Sequence, residues 1–179
     1  MPSSRRLITS TTLSSSAASV TFSGIPATYT DLVLKISPKG SDTTIGSKCR
    51  IEFNADSSTK YSGTVLYWNG TTVASFRNTS NTYINDVYGM PGSSSGGTPT
   101  GIDNVFGSIE VYIPNYNSTS SKPIGIFGVS ERNNATASES AIQAGLYTGA
   151  SAISSIKLTT NLTNFVSGSS FFLYGLFNS

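Results

Sequence analysis

Seven residues near the end of the sequence, Phe171-Phe172-Leu173-Tyr174-Gly175-Leu176-Phe177, constrain the fold more than any other stretch. Side chains alternate between the two faces of a strand, so Phe171, Leu173 and Phe177 share one face. Phe172, Tyr174 and Leu176 share the other. Both sets are apolar, which predicts a strand covered on both sides, inside a sheet, a sandwich or an oligomer. Ordinary core packing is the plainest form of that prediction. Ile153, Ile156 and Leu158 form a shorter apolar run before it, and the polar residues from Thr159 to Asn164, with Gly168-Ser169-Ser170, turn the chain between the two.

The same period of two recurs along the chain. Leu32, Leu34 and Ile36 alternate with Val33 and Lys35 between Asp31 and Ser37, and Cys49, Ile51 and Phe53 alternate with Arg50 and Glu52. Ile109, Val111 and Ile113 form a face of Val105 to Ile113, and Ile124, Ile126 and Gly128 form one of Pro123 to Val129. Ser19 to Phe22 and Ala141 to Tyr147 add two more strands. Val65 to Trp68 and Thr71 to Phe76 flank Asn69-Gly70, which predicts a two-residue type I′ hairpin with Trp68 opposite Thr71 and Leu66 opposite Val73. There is no helical period. The reading is all-β: an antiparallel, jelly-roll-like β-sandwich of about nine to ten strands. Residues 1–19 are small and polar, with Leu7, Ile8 and Leu13 to bury. They read as an extended N-terminal arm, followed by one sandwich domain over 20–179. Residues 89–101, rich in glycine, proline and serine, read as the longest loop: a binding loop, an assembly contact or a disordered segment.

Composition narrows the chemistry. Charged residues make up 11% of the chain, against a usual ~25%. The balance of 11 basic and 9 acidic residues leaves +2, which disfavours nucleic acid as a partner. No histidine is present, which removes Ser-His-Asp and Cys-His catalysis and any His-based metal site. Of the nine carboxylates, Glu52 and Glu110 are the one pair worth testing as a glycosidase couple. Asn54-Ala55-Asp56-Ser57-Ser58 lacks the glycine and closing glutamate of a calcium loop, and predicts a turn in which Asn54 and Asp56 bond their own backbone. Cys49 is single and reads as a small buried residue, compatible with assembly in a reducing cytoplasm. The first residues contain no apolar run of signal-peptide length, and no membrane span is evident. The expectation is a non-enzyme with no cofactor and no metal.

Several stretches together resemble a family of virion proteins of tailed bacteriophages. They are Leu7 to Ser37 with its Ser23-Gly24-Ile25-Pro26-Ala27-Thr28-Tyr29-Thr30-Asp31-Leu32, Phe53-Asn54-Ala55-Asp56 followed by Tyr61, and Tyr112-Ile113-Pro114-Asn115-Tyr116. The closing Ile153 to Leu176 completes the set, with Phe165, Gly168-Ser169 and Leu173-Tyr174-Gly175. The resemblance implies a jelly-roll-like domain on the virus particle, a capsid decoration (cement) protein, often trimeric, or a fibre component. It carries no catalytic residues.

Two functional expectations follow. In the first, a homo-oligomer (a trimer) binds the major capsid protein and stabilises the shell of a virion assembled in the host cytoplasm. Arg5, Arg6, Leu7, Ile8, Phe172, Tyr174 and Leu176 would supply the oligomer and partner contacts. In the second, a tail-fibre or receptor-binding module recognises host surface glycan through Tyr67, Trp68, Tyr83, Tyr88 or Tyr116. A small hydrolase ranks last for want of acid–base groups.

Overall fold

Wherever apolar and polar residues alternate, the chain runs as a strand whose apolar set points between two sheets. The computed structural model describes residues 4–43, 46–93, 105–132 and 139–177. In chain order the strands are β1 (Ser4–Thr12), β2 (Ser19–Ser23), β3 (Asp31–Ser37), β4 (Gly46–Phe53), β5 (Tyr61–Trp68) and β6 (Val73–Asn81). Then come β7 (Ile84–Pro91), β8 (Ser108–Ile113), β9 (Lys122–Ser130), β10 (Glu139–Tyr147), β11 (Ser155–Thr160) and β12 (Ser170–Phe177). The large sheet has the order β1-β12-β3-β8-β9-β10-β5-β6 and the small one β2-β11-β4-β7. Every pairing is antiparallel. Consecutive β2 and β3 lie in different layers and pair with β11 and β12, again in different layers. That winding makes the sandwich jelly-roll-like.

The core sits where the layers face each other. Leu32 and Leu34 of β3, Val111 of β8 and Leu173 of β12 meet Ile51 and Phe53 of β4 and Ile156 and Leu158 of β11, all 0% exposed. Each such side chain contributes about 1.5–3 kcal/mol by leaving water. Phe165, between β11 and β12, stands edge-on to Phe171 at 5.0 Å, and its backbone bridges to Ala17 and Gly40, drawing the chain ends together.

Twelve strands exceed the nine or ten expected, because two carry weak sequence signals. Residues 4–12, expected as part of an arm, are extended and lie along β12 as the outer strand of the large sheet. β7 lacks alternation, with Asp86 at φ 54° and Gly89 at φ 101° inside it. Gly89, Met90 and Pro91 therefore belong to a strand, not to the expected 89–101 loop; 94–101 lie outside the described residues. The glycines there serve a close approach: a Cβ on Gly128 would stand 1.9 Å from the Tyr88 carbonyl oxygen, so β7 packs directly on β9.

The Asn69-Gly70 turn also differs from expectation. Trp68 pairs with Val73 and Leu66 with Ser75, leaving four loop residues. The Asn69 carboxamide oxygen accepts the Thr71 and Thr72 amides at 3.2 and 2.8 Å, a local bond that competes with the two-residue turn. Positive φ at two successive residues occurs instead at Asn54 (56°) and Ala55 (53°), closed by the Asp56 amide on the Phe53 carbonyl.

Candidate interaction surface

Among the described residues, one face of the large sheet is covered and the opposite face is not. The small sheet covers the inner face of the large sheet, while the outer face carries six of the eight large apolar side chains that stand exposed among the described residues. These are Leu7, Leu66, Val73, Tyr112, Phe127 and Ile142. Cross-strand register places Phe127 of β9 beside Ile142 of β10, and Ile142 beside Leu66 of β5. The three form a ridge running across the strands. Their exposures of 48%, 53% and 44% exceed those of ordinary sheet residues turned towards a core. Two residues further along each strand, Gly125, Ala144 and Thr64 are likewise in register and form a low row beside the ridge. The depression over Gly125, about 560 Å³, is bordered by Tyr112, Glu110, Phe127 and Ile142.

A smaller hollow of about 330 Å³ lies between Lys35, Glu110, Phe172 and Tyr174. Lys35 and Glu110 bridge at 2.9 Å with both side chains near half exposed. Such a pair is worth about 0–1 kcal/mol, and it leaves this part of the face electrically neutral.

The expected contact residues are brought together at one edge of this face. Arg5 pairs with Leu176, Leu7 with Tyr174 and Arg6 with Gly175, while Phe172 is opposite Ser10 after an irregularity at Ile8. Phe172, Tyr174 and Leu176 point outward and are half-buried; Arg5, Arg6 and Leu7 are exposed, and Ile8 packs partly on the core. The Arg5 guanidinium lies 5.5 Å from the Tyr174 ring centroid.

The glycan-binding candidates are dispersed. Tyr116 is fully buried, Tyr88 is 5% exposed and Tyr67 stacks on it at 5.1 Å. Tyr83 lies under the Arg50 guanidinium at 4.6 Å. Trp68 alone of the five is on the outer face, half-buried.

Glu52 and Glu110 do not form a couple. Glu52 points outward from the small sheet beside Lys157 at 3.9 Å, and Glu110 points outward from the large sheet towards Lys35. The core separates them, because each neighbours inward-facing residues on opposite layers.

A dense polar cluster forms a corner around Asp56. Its carboxylate accepts the Ser58 hydroxyl, the Ser58 amide at 3.1 Å, the Lys60 ammonium at 3.0 Å and the Tyr147 hydroxyl at 2.9 Å. The Ser58 hydroxyl bond chiefly holds the Asp56 carboxyl well below the usual carboxylate range. Burial, then the Asp56 bond, pushes the Tyr147 phenol up to about 12. Asp56 thus bonds its own turn as expected. Asn54 instead reaches across to accept the Ser154 and Ser155 amides at 2.8 and 3.2 Å, tying the turn to the approach to β11. Nearby, the buried Lys122 ammonium donates to the Gly149 and Ser151 carbonyls at 2.9 and 2.6 Å, and burial lowers its pKa. These groups hold loops together. Cys49 is fully buried against Met90, and burial pushes its thiol pKa up.

Alternation names the inward member of each pair as core and leaves the outward ridge unassigned. The signal was there: Phe127 and Ile142 occupy the outward parity of β9 and β10, where a solvated face would carry polar residues.

Fold and surface together define an all-β sandwich whose large sheet carries an apolar ridge on an outer face that no described residue covers. No protein-family model matches the chain, and no curated protein or solved structure matches it.

Proposed function

We propose that this chain is a non-enzymatic structural protein of a phage virion, a capsid decoration protein that oligomerises, as a trimer, and stabilises the shell by binding the major capsid protein. The observation that carries this reading is the outer face of the large sheet. A soluble monomer gains nothing from a row such as Phe127, Ile142 and Leu66 in water, whereas an assembling protein buries it. The strip of Leu7, Phe172, Tyr174 and Leu176 is continuous with that face and supplies protomer contacts. Binding only the assembled shell shifts its equilibrium towards assembly, and many copies multiply modest contacts. The resemblance of the sequence to tailed-phage virion proteins supports the same reading.

The second reading, a fibre module for host glycan, draws on the groove over Gly125 beside Tyr112. One wall of that groove is aliphatic, which suits a protein partner better than a sugar. Co-sedimentation with purified capsids is expected to carry this protein into the pellet at a fixed stoichiometry. Saturable binding on a glycan array, with no capsid binding, would overturn the first reading in favour of the second.

A further inference from the structure

The ridge and the low row beside it are complementary to each other, strand by strand. On β9 the residues are Phe127 and Gly125, on β10 Ile142 and Ala144, and on β5 Leu66 and Thr64. Each strand thus carries one large side chain and, two residues away, one small side chain. The two rows lie about 7 Å apart. A Cβ added to Gly125 would meet nothing within 4 Å, so the low row is open above.

From this we infer that the outer face of β9, β10 and β5 docks against the same face of a second copy, about a two-fold axis that runs parallel to the rows and midway between them. That operation lays each copy's ridge into the other's low row: Phe127 over Gly125, Ile142 over Ala144, Leu66 over Thr64. A two-fold contact needs a patch complementary to itself, and large-against-small alternation is how packed sheet faces interdigitate. One row out the pattern continues on β5, where the same axis carries Trp68 over Ser62, and reverses on β10, where it carries Ser140 over Leu146.

Charge favours the same occupant. The six residues of the two rows are uncharged, so like can face like without repulsion. Three strands by eight residues present a flat area of about 14 by 27 Å, roughly 390 Å² before side-chain relief. That is the order of a modest, concentration-dependent interface, since a standard one buries about 800 Å² per partner. The inference rests on the proposed function only in taking the chain to self-associate, and it uses strands distinct from the β1–β12 strip.

Sedimentation velocity over a range of concentrations, on the full chain, tests it with three variants. Ile142→Glu is expected to weaken self-association about tenfold or more. Gly125→Leu is the sharper variant, because it adds apolar surface. Non-specific stickiness would then rise, whereas filling the low row blocks the partner's Phe127 and association falls. Its melting midpoint at low concentration is expected to be unchanged or higher, because glycine weakens a strand interior. If Tyr174→Ser dissociates the oligomer while Ile142→Glu and Gly125→Leu do not, the inferred contact is overturned and the proposed function stands. A wild-type chain that is monomeric at every concentration also overturns the contact; capsid co-sedimentation then judges the function separately.

Discussion

The two faces of the large sheet come from the same strands and have opposite fates. On β9, Ile124 and Ile126 point inward and are 2% and 4% exposed, while Phe127 points outward and is 48% exposed. On β10, Ala141 is buried and Ile142 is 53% exposed. Hydrophobicity alone does not separate them, because Phe127 and Ile142 are as apolar as their inward neighbours. The difference lies in what each face has to pack against: the small sheet covers one, and nothing described covers the other. An apolar residue contributes to folding only where the chain supplies its partner; elsewhere it is available for association.

The sharpest way to break this comparison is to truncate one residue on each face. Ile126→Ala is expected to cost about 2–5 kcal/mol of folding stability, read as a lower urea midpoint, without a direct effect on oligomer contacts. A loss near zero would mean that the inner face is not the core. The polar corner is next in size. Asp56→Asn is expected to cost about 1–3 kcal/mol at neutral pH, since it weakens the ammonium and hydroxyl bonds to a carboxylate. The sign with pH follows from the lowered pKa of Asp56. Its contribution is present above the unfolded value of about 3.9 and fades as pH falls towards the folded value. Urea midpoints of wild type and variant should therefore converge in acid; a constant gap would contradict the role given to the carboxylate.

Smaller effects sharpen the contrast on the outer side. Phe127→Ser is expected to change folding stability by about 1 kcal/mol or less while lowering association in sedimentation. Lys35→Met, which breaks the exposed pair with Glu110, should change folding stability least, by about 0–1 kcal/mol, read from the urea midpoint. A Lys35→Met loss as large as that of Ile126→Ala would show that the outer face carries folding energy after all.

The inner half of this comparison was legible in the sequence. Alternation at Leu32-Leu34-Ile36, at Cys49-Ile51-Phe53 and at Ile109-Val111-Ile113 named buried faces correctly, since period two is a local property of the chain. Register and β7 were not legible, for two physical reasons. Asn69 chose a side-chain bond to Thr71 and Thr72 over a two-residue turn, an energy difference too small for residue identity to reveal. The glycines at 89 and 128 mark close approach between strands 39 positions apart; Gly128 reads as a strand residue, but Gly89 opens a glycine- and proline-rich stretch that a linear reading takes for a loop. Pairing of Leu7 with Tyr174 places the expected contact residues side by side, yet the Phe127–Ile142–Leu66 ridge becomes visible only once three strands are in register.

Chemical labelling tests the central claim, that the outer face of the large sheet exists to be covered by another chain. Cys49, fully buried with a raised thiol pKa, leaves the wild type silent to maleimide. A single Ala144→Cys variant therefore reports on the low row alone. Its labelling rate should fall as protein concentration rises, while a Lys157→Cys control on the small sheet labels at one rate throughout. Equal, concentration-independent labelling at both positions would contradict the account.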